Sequence, residues 1–287
     1  MKHFLIVIVY IFSIIFIGCN PNNLKSKSLT EQSKEAIIKG RYQDAIDLCK
    51  NAIELNPENY VAYNNLGVAM SNLNYDGAEI ENCYLKSLKI KGDYDVVLKS
   101  LLSHYWKFHN YSEVINYGKK YEQIKPLDSE DLNIIGESYR ELKDYTNGEI
   151  YFQKSLKIDP NSWATLLNYG ELKVDNLKFQ DAIILLKKAF QLQSENPVIP
   201  RNIGVSYFYL EKFDSAAFYF SETCKIKITK IDLTWKGISL TKAGHLEEGC
   251  RDLNNAKEVL VEKGDPEVDQ TFLQQTIDQY CLSKSDK

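Results

Sequence analysis

Apolar residues recur along most of the chain at spacings of three and four, which is the pattern of helices that bury one face. In residues 42–57, which read YQDAIDLCKNAIELNP, the small residues Ala45, Cys49 and Ala52 fall on one such face. Nearly the same text returns at residues 145–160 as YTNGEIYFQKSLKIDP. The pattern therefore predicts an all-α fold in which a short helical unit is repeated.

Columns of similar residues appear when the chain is aligned in rows of about 34 residues. One column holds glycine inside stretches that otherwise read as helix: Gly67, Gly136, Gly170, Gly204 and Gly237. A second column holds a large apolar residue: Tyr42, Tyr111, Tyr145, Phe179, Phe213 and Leu246. Glycine inside a helix costs roughly 1 kcal/mol relative to alanine, so its recurrence predicts that another helix passes too close for a side chain. Each row then reads as two antiparallel helices.

These columns resemble the tetratricopeptide repeat, in which Leu-Gly, Tyr, Ala, Phe, Ala and Pro stand at fixed offsets. The best row, IIGESYRELKDYTNGEIYFQKSLKIDP, has Gly136, Tyr139, Tyr145, Phe152 and Pro160 in place. The resemblance implies a right-handed superhelix of about seven helix-turn-helix repeats over residues 28–263. One hairpin cannot cover its own apolar face, so a capping helix is expected to close the stack. Residues 264–283 supply it, with Asp265 as N-cap and Phe272 and Ile277 among its apolar contacts.

The first twenty residues, MKHFLIVIVYIFSIIFIGCN, contain one lysine and then an apolar run that is typical of a signal peptide. Gly18-Cys19 at its end resembles a bacterial lipoprotein signal, in which the cysteine becomes the lipidated N-terminus. This predicts a signal peptide over residues 1–18, lipidation of Cys19, and a flexible tether over residues 19–27. The protein is then lipid-anchored to the inner or outer membrane of a bacterial cell envelope, facing the periplasm or the cell surface. An uncleaved anchor, or an ordinary signal in which Cys19 is a bystander, remains the alternative.

Charge and motifs argue against several classes of function. The net charge is −4 and no basic stripe is present, so nucleic acid is a poor candidate partner. The chain has no phosphate-binding loop, no nucleophile elbow and no H-E-x-x-H motif. His104 and His109 are five residues apart, an awkward spacing for one metal site on a helix. We therefore expect no enzymatic activity, no cofactor and no metal ion.

The cysteines beyond Cys19 fall into two groups. Cys49 and Cys83 occupy equivalent places in adjacent rows, and we interpret both as small core residues. Cys224, Cys250 and Cys281 could include one disulfide, and the sequence leaves the pairing open.

In the tetratricopeptide family, the first helices of successive rows line a concave groove that binds peptides or protein segments. The groove-facing steps of this chain hold amides, charged residues and aromatic residues, a mixture suited to recognition. They are Asn64, Asn65, Lys99, Trp106, Lys107, Asn133, Arg140, Asn168, Glu171, Arg201, Asn202, Phe208 and Tyr209. The resemblance thus implies a scaffold or adaptor that binds a protein or peptide partner in this groove. The alternative is a structural, self-associating subunit of an envelope complex for pilus, secretion or outer-membrane assembly.

Overall fold

The computed structural model describes residues 20–260 and 269–282, and within these ranges it contains helices and no strand. The helices are α1 (Pro21–Ile38), α2 (Tyr42–Leu55), α3 (Tyr60–Asn72), α4 (Gly77–Ile90), α5 (Asp95–Lys107), α6 (Tyr111–Ile124), α7 (Ser129–Glu141), α8 (Tyr145–Ile158), α9 (Trp163–Asp175), α10 (Phe179–Leu192), α11 (Val198–Tyr209), α12 (Phe213–Ile226), α13 (Lys230–Ala243), α14 (Leu246–Glu258) and α15 (Gln270–Ile277), with a short π-helix at Asp278–Leu282. The predicted all-α class is confirmed.

The helices are grouped into two compact units, one up to Leu127 and one from Asp128 onward. In the first unit, α1 packs on α2, α3 on α4, and α5 on α6. In the second unit, α7 packs on α8, α9 on α10, α11 on α12, and α13 on α14. Each unit is therefore a row of helical hairpins, as the repeated pattern predicts.

The glycine column lies where the two helices of a hairpin meet. A Cβ added at Gly136 would be 2.8 Å from the ring of Phe152, and one at Gly170 would be 2.6 Å from Leu186. Phe152 and Leu186 are both fully buried side chains of the second helix. The prediction of a close helix approach is confirmed, and the structure shows that a large side chain of the partner helix occupies the space.

Five of the seven described hairpins turn through a residue with the same backbone conformation, whatever its residue type. Asn74, His109, Lys143, Leu177 and Glu211 have φ between 55° and 61°, in the left-handed region. Around Leu177, its own N–H donates to the carbonyl of Val174 (2.9 Å) and the N–H of Lys178 donates to that of Lys173 (2.8 Å). These two bonds are the Schellman arrangement that ends a helix. This shared geometry lets the chain reverse direction within three or four residues and start the second helix.

The N-terminal segment differs from its prediction. Residues 20–27 were expected to be a flexible tether, but α1 begins at Pro21, and Asn20 caps it by accepting the N–H of Asn22 (3.0 Å). Ser26 is fully buried and donates to the carbonyl of Ala52 (2.7 Å), so the tether prediction is wrong for these residues. The predicted signal peptide and Cys19 lie outside the described residues.

Within residues 20–260 and 269–282, no helix combines the length and the apolar character that crossing a bilayer requires.

The C-terminal cap is confirmed in part. Asp265 lies outside the described residues, and the described helix begins at Gln270 with Asp269 as N-cap. Ile277 is buried as predicted and shares a core cluster with Leu273. Phe272 was expected to pack on the stack but is 43% exposed, because Leu273 takes the inward position beside it.

The disulfide left open by the sequence is Cys250–Cys281, which joins α14 to the end of the cap. Cys49 and Cys83 are free and buried, which confirms their interpretation as core residues.

Candidate functional site

The first helices of the second unit bring several predicted groove residues into contact across adjacent repeats. Asn168 on α9 donates its Nδ2 to Asn133 Oδ1 (3.2 Å) and to Glu137 Oε2 (3.3 Å), both on α7. Arg140 on α7 pairs with Glu171 on α9, and Asn202 on α11 donates to Glu171 Oε1 (3.0 Å). The predicted residues therefore form one connected polar surface over α7, α9 and α11.

Arg201 extends this surface to α13. Its Nε and one terminal nitrogen donate to the two carboxylate oxygens of Asp232 at 2.6 and 2.7 Å. Asp232 is fully buried, and the Thr229 hydroxyl also donates to it. Arg201 was predicted to face a partner, whereas the structure uses it to hold α11 on α13.

We call this set of side chains the polar ladder: Asn133, Arg140, Asn168, Glu171, Arg201, Asn202 and Asp232. Several of its cross-repeat contacts join residues 31 positions apart, because the partner lies one turn earlier in the next repeat. The ladder residues other than Asp232 are half-buried. These side chains hold neighbouring helices together and also expose polar atoms on the surface.

Aromatic residues lie at one end of this surface, where it reaches α11. Tyr209 is 58% exposed and stacks on Phe179 with ring centroids 5.0 Å apart and planes tilted by 7°. Phe208, which was also predicted as a groove residue, is half-buried and meets the Trp235 ring edge-on at 5.0 Å. We call Phe179 and Tyr209 the aromatic platform.

Carboxylates surround Arg140 at the C-terminal ends of α7 and α9. Besides Glu171, the guanidinium contacts Glu141 at 2.7 Å and Asp175 at 3.4 Å. Burial raises the pKa of Asp175, and the neighbouring Glu141 charge adds to this, while Arg140 opposes it. We call Arg140, Glu141, Glu171 and Asp175 the acidic cluster.

The predicted residues of the first unit are placed differently. Asn64 and Asn65 on α3 are buried, and Asn65 donates to the hydroxyl of Ser33 on α1 (3.1 Å). The prediction that these two amides face a partner is wrong. Packing between α1 and α3 covers the Asn65 side chain, and Asn64 is only 2% exposed.

Three predicted residues of α5 remain at the surface to different degrees. Trp106 is 39% exposed, and Lys99 is half-buried. Lys107 is exposed, with its Nζ 3.4 Å from Asn74 Oδ1.

Sequence reasoning missed three residues of the site, namely Glu141, Asp175 and Phe179. Glu141 and Asp175 stand at a groove-facing step of their rows, so the period alone could have identified them. Phe179 belongs to the large apolar column, so its position in the repeat did not mark it as part of the site.

Comparison with known proteins supports the repeat assignment. Family models described as tetratricopeptide repeat match residues 48–76 and residues 132–162. BBSome complex member BBS4 from Bos taurus is 23% identical over 190 residues, which is 66% of this chain and 36% of that protein. The chain thus spans about a third of the length of this curated relative.

Solved structures share the fold at low identity. A tetratricopeptide repeat protein from Parabacteroides merdae superposes with a TM-score of 0.61 at 17% identity, covering 89% of this chain and 98% of its own. Pseudomonas aeruginosa pilF gives 0.59 at 17% identity, with 72% and 94% covered. YrrB, described as having an unusual peptide-binding site, gives 0.56 at 17% identity, with 62% and 92% covered. With its repeated hairpins and glycine column, the chain therefore has the tetratricopeptide-repeat fold, and two of its segments match models of that family.

Proposed function

We propose that the chain is a non-catalytic scaffold that binds a peptide or protein segment on the first-helix face of its second unit. The observation that carries this proposal is the aromatic platform beside the polar ladder. An aromatic side chain as exposed as Tyr209 gives a rigid apolar contact, and the amides of the ladder can hydrogen-bond a peptide backbone. YrrB, which has the same fold, is described as having an unusual peptide-binding site, and this supports peptide binding as a use of the fold.

We further propose that the protein is tethered to a bacterial envelope membrane by a lipid on Cys19. The apolar run before Gly18-Cys19 supports this proposal, and so does the Cys250–Cys281 disulfide. Disulfides persist in oxidising compartments such as the periplasm and are rare in the cytosol. Because α1 begins at Pro21, a lipid on Cys19 would hold the first hairpin close to the bilayer surface.

Peptide selection on the full chain in detergent tests the scaffold proposal. A random peptide display library is selected on the protein, and the enriched peptides are titrated against Tyr209→Ala and Phe218→Ala. The two rings are 58% and 56% exposed, but Phe218 lies on the second helix of its hairpin, so it is a matched control. We expect Tyr209→Ala to weaken binding and Phe218→Ala to leave it unchanged. Equal effects, or no enriched peptide, would contradict the proposal.

Expression of the full chain in a bacterium tests the anchor. We expect the N-terminal peptide of the membrane fraction to carry the mass of an acylated Cys19, and Cys19→Ala to move the protein to the soluble fraction. An unmodified cysteine in membrane-bound protein would reject lipidation.

A further inference from the structure

The acidic cluster and the aromatic platform lie along one edge of the second unit, where the first helices end. Glu141 is the last residue of α7, Asp175 is the last residue of α9, and Tyr209 is the last residue of α11. Phe179 begins α10 only four residues after Asp175. Since α7 contacts α9 and α9 contacts α11, these residues form a continuous edge.

The acidic cluster has more negative charge than its arginine balances. One guanidinium contacts the carboxylates of Glu141, Glu171 and Asp175, so two negative charges remain in excess. The side chains of Glu141 and Asp175 are 34% and 45% exposed, which leaves both within reach of a partner. The raised pKa of Asp175 agrees with this excess, because Arg140 does not fully offset burial and the Glu141 charge.

Helix stability does not explain these carboxylates. The C-terminal end of a helix has a partial charge of about −0.5, so acidic side chains there are unfavourable. Glu141 and Asp175 each close a helix, where the helix dipole opposes their charge, and their contacts with Arg140 offset this cost. Charged groups that are placed against a helix dipole and still face solvent are typical of functional sites, where local rules of stability are broken.

The aromatic platform provides the second and independent feature of the edge. Its rings are already stacked face to face, and the exposed ring belongs to the helix next to Asp175. Aromatic faces attract ammonium and guanidinium groups through the ring quadrupole. An aromatic surface next to excess carboxylate fits a cation attached to an apolar stem, which describes lysine and arginine.

We propose that this edge binds a basic peptide segment, with one lysine or arginine side chain between the acidic cluster and the aromatic platform. The inference rests on the proposed function, because it names the kind of segment that the first-helix face accepts. The cation adds the positive charge that the cluster lacks, and its stem lies on the exposed ring of Tyr209. The polar ladder on the same face is then available to the segment's backbone.

The test uses the same peptide library on the full chain in detergent, followed by titration of two double variants. Glu141→Gln/Asp175→Asn removes the excess charge, and Asp181→Asn/Glu195→Gln removes two exposed carboxylates elsewhere in the same unit. We expect enriched peptides to contain lysine or arginine. The first variant should weaken their binding about fivefold or more, as the loss of a partly exposed ion pair predicts, and the second should not.

A stability measurement separates binding from misfolding. The Glu141→Gln/Asp175→Asn variant should melt at nearly the same temperature as the parent protein. It loses two ion pairs of Arg140 but also removes charges that oppose the helix dipole, and Glu171 still pairs with Arg140. Weaker binding by a protein that is no less stable supports the proposal.

The other outcomes are equally distinct. Peptides without a cation that depend on Tyr209 but not on the two carboxylates would overturn this inference and leave the scaffold function standing. If no selected peptide depends on Tyr209, the proposed function fails as well.

Discussion

At the scale of single residues, the left-handed turns lower the stability of the fold, because residues other than glycine adopt this backbone conformation at a cost. Leu177 has φ 56° and is 74% exposed, so its side chain gains little from packing. A left-handed backbone costs a residue with a Cβ roughly 1–2 kcal/mol, and glycine avoids this cost. We expect Leu177→Gly to raise the free energy of unfolding by about 1 kcal/mol in urea denaturation. Leu177→Ala, which keeps the Cβ, is the control and should give no comparable gain.

The buried ion pair of the polar ladder makes a second prediction at this scale. Arg201→Leu leaves the fully buried Asp232 carboxylate without its charged partner, which should cost about 3 kcal/mol of unfolding free energy. Arg201→Leu/Asp232→Asn removes the buried charge and should recover part of that loss. Arg251→Leu, at an exposed arginine of α14, serves as the control in thermal melts. A loss at Arg201 no larger than that at Arg251 would show that the pair does not hold α11 on α13.

The residue scale also shows why only part of the site could be predicted. The groove-facing steps correctly placed Arg140, Glu171 and Asn202 on one surface because the repeat period fixes which helix face they occupy. The contact between Arg140 and Glu171 depends on how one repeat is rotated on the next, which the composition of a row does not reveal. No single residue type recurs at the turn positions, because hairpin closure sets their backbone conformation. The left-handed conformation of Lys143 and Leu177 could therefore not be predicted from the sequence.

At the scale of helices, the glycine column predicts a ranking of substitutions. A Cβ at Gly170 would be 2.6 Å from two atoms of Leu186, whereas one at Gly204 would be 3.2 Å from the Phe220 ring. Both neighbours are fully buried, so overpacking should cost about 1–3 kcal/mol at Gly170 and less at Gly204. Alanine also gains up to about 1 kcal/mol in helix propensity, which offsets part of each cost.

Urea denaturation of Gly170→Ala and Gly204→Ala checks this ranking. We expect the first variant to be the less stable of the two. The opposite order would mean that the helix–helix distance does not explain the glycine column.

The glycine column was predictable from sequence because the same packing contact returns in each repeat. The prediction for residues 20–27 was wrong because their polar composition gives no sign that Ser26 is buried and hydrogen-bonded to Ala52 and Asn59.

At the scale of the whole molecule, a stack of repeats is as stable as the contacts between neighbours, so its end needs a closing element. In the second unit this element is α15, which buries Leu273 and Ile277 against Ile238 and Leu253. An eight-residue helix has little stability by itself, and the Cys250–Cys281 disulfide holds it on α14. A disulfide that closes a loop of 31 residues stabilises by roughly 3–4 kcal/mol in the chain-entropy model.

Reduction of this disulfide should therefore loosen the end of the stack first. We expect hydrogen exchange under dithiothreitol to accelerate most in α15, then in α13 and α14, and least in α7 and α8, because each hairpin is stabilised mainly by its neighbours. Cys281→Ser should reproduce the gradient without reductant, while Cys224→Ser, at a free cysteine, should not. Uniform acceleration over residues 129–258 would instead indicate that the second unit unfolds as one cooperative block. A graded response would also explain why the fold keeps a covalent link at the end of the chain, where the hairpins have a neighbour on only one side.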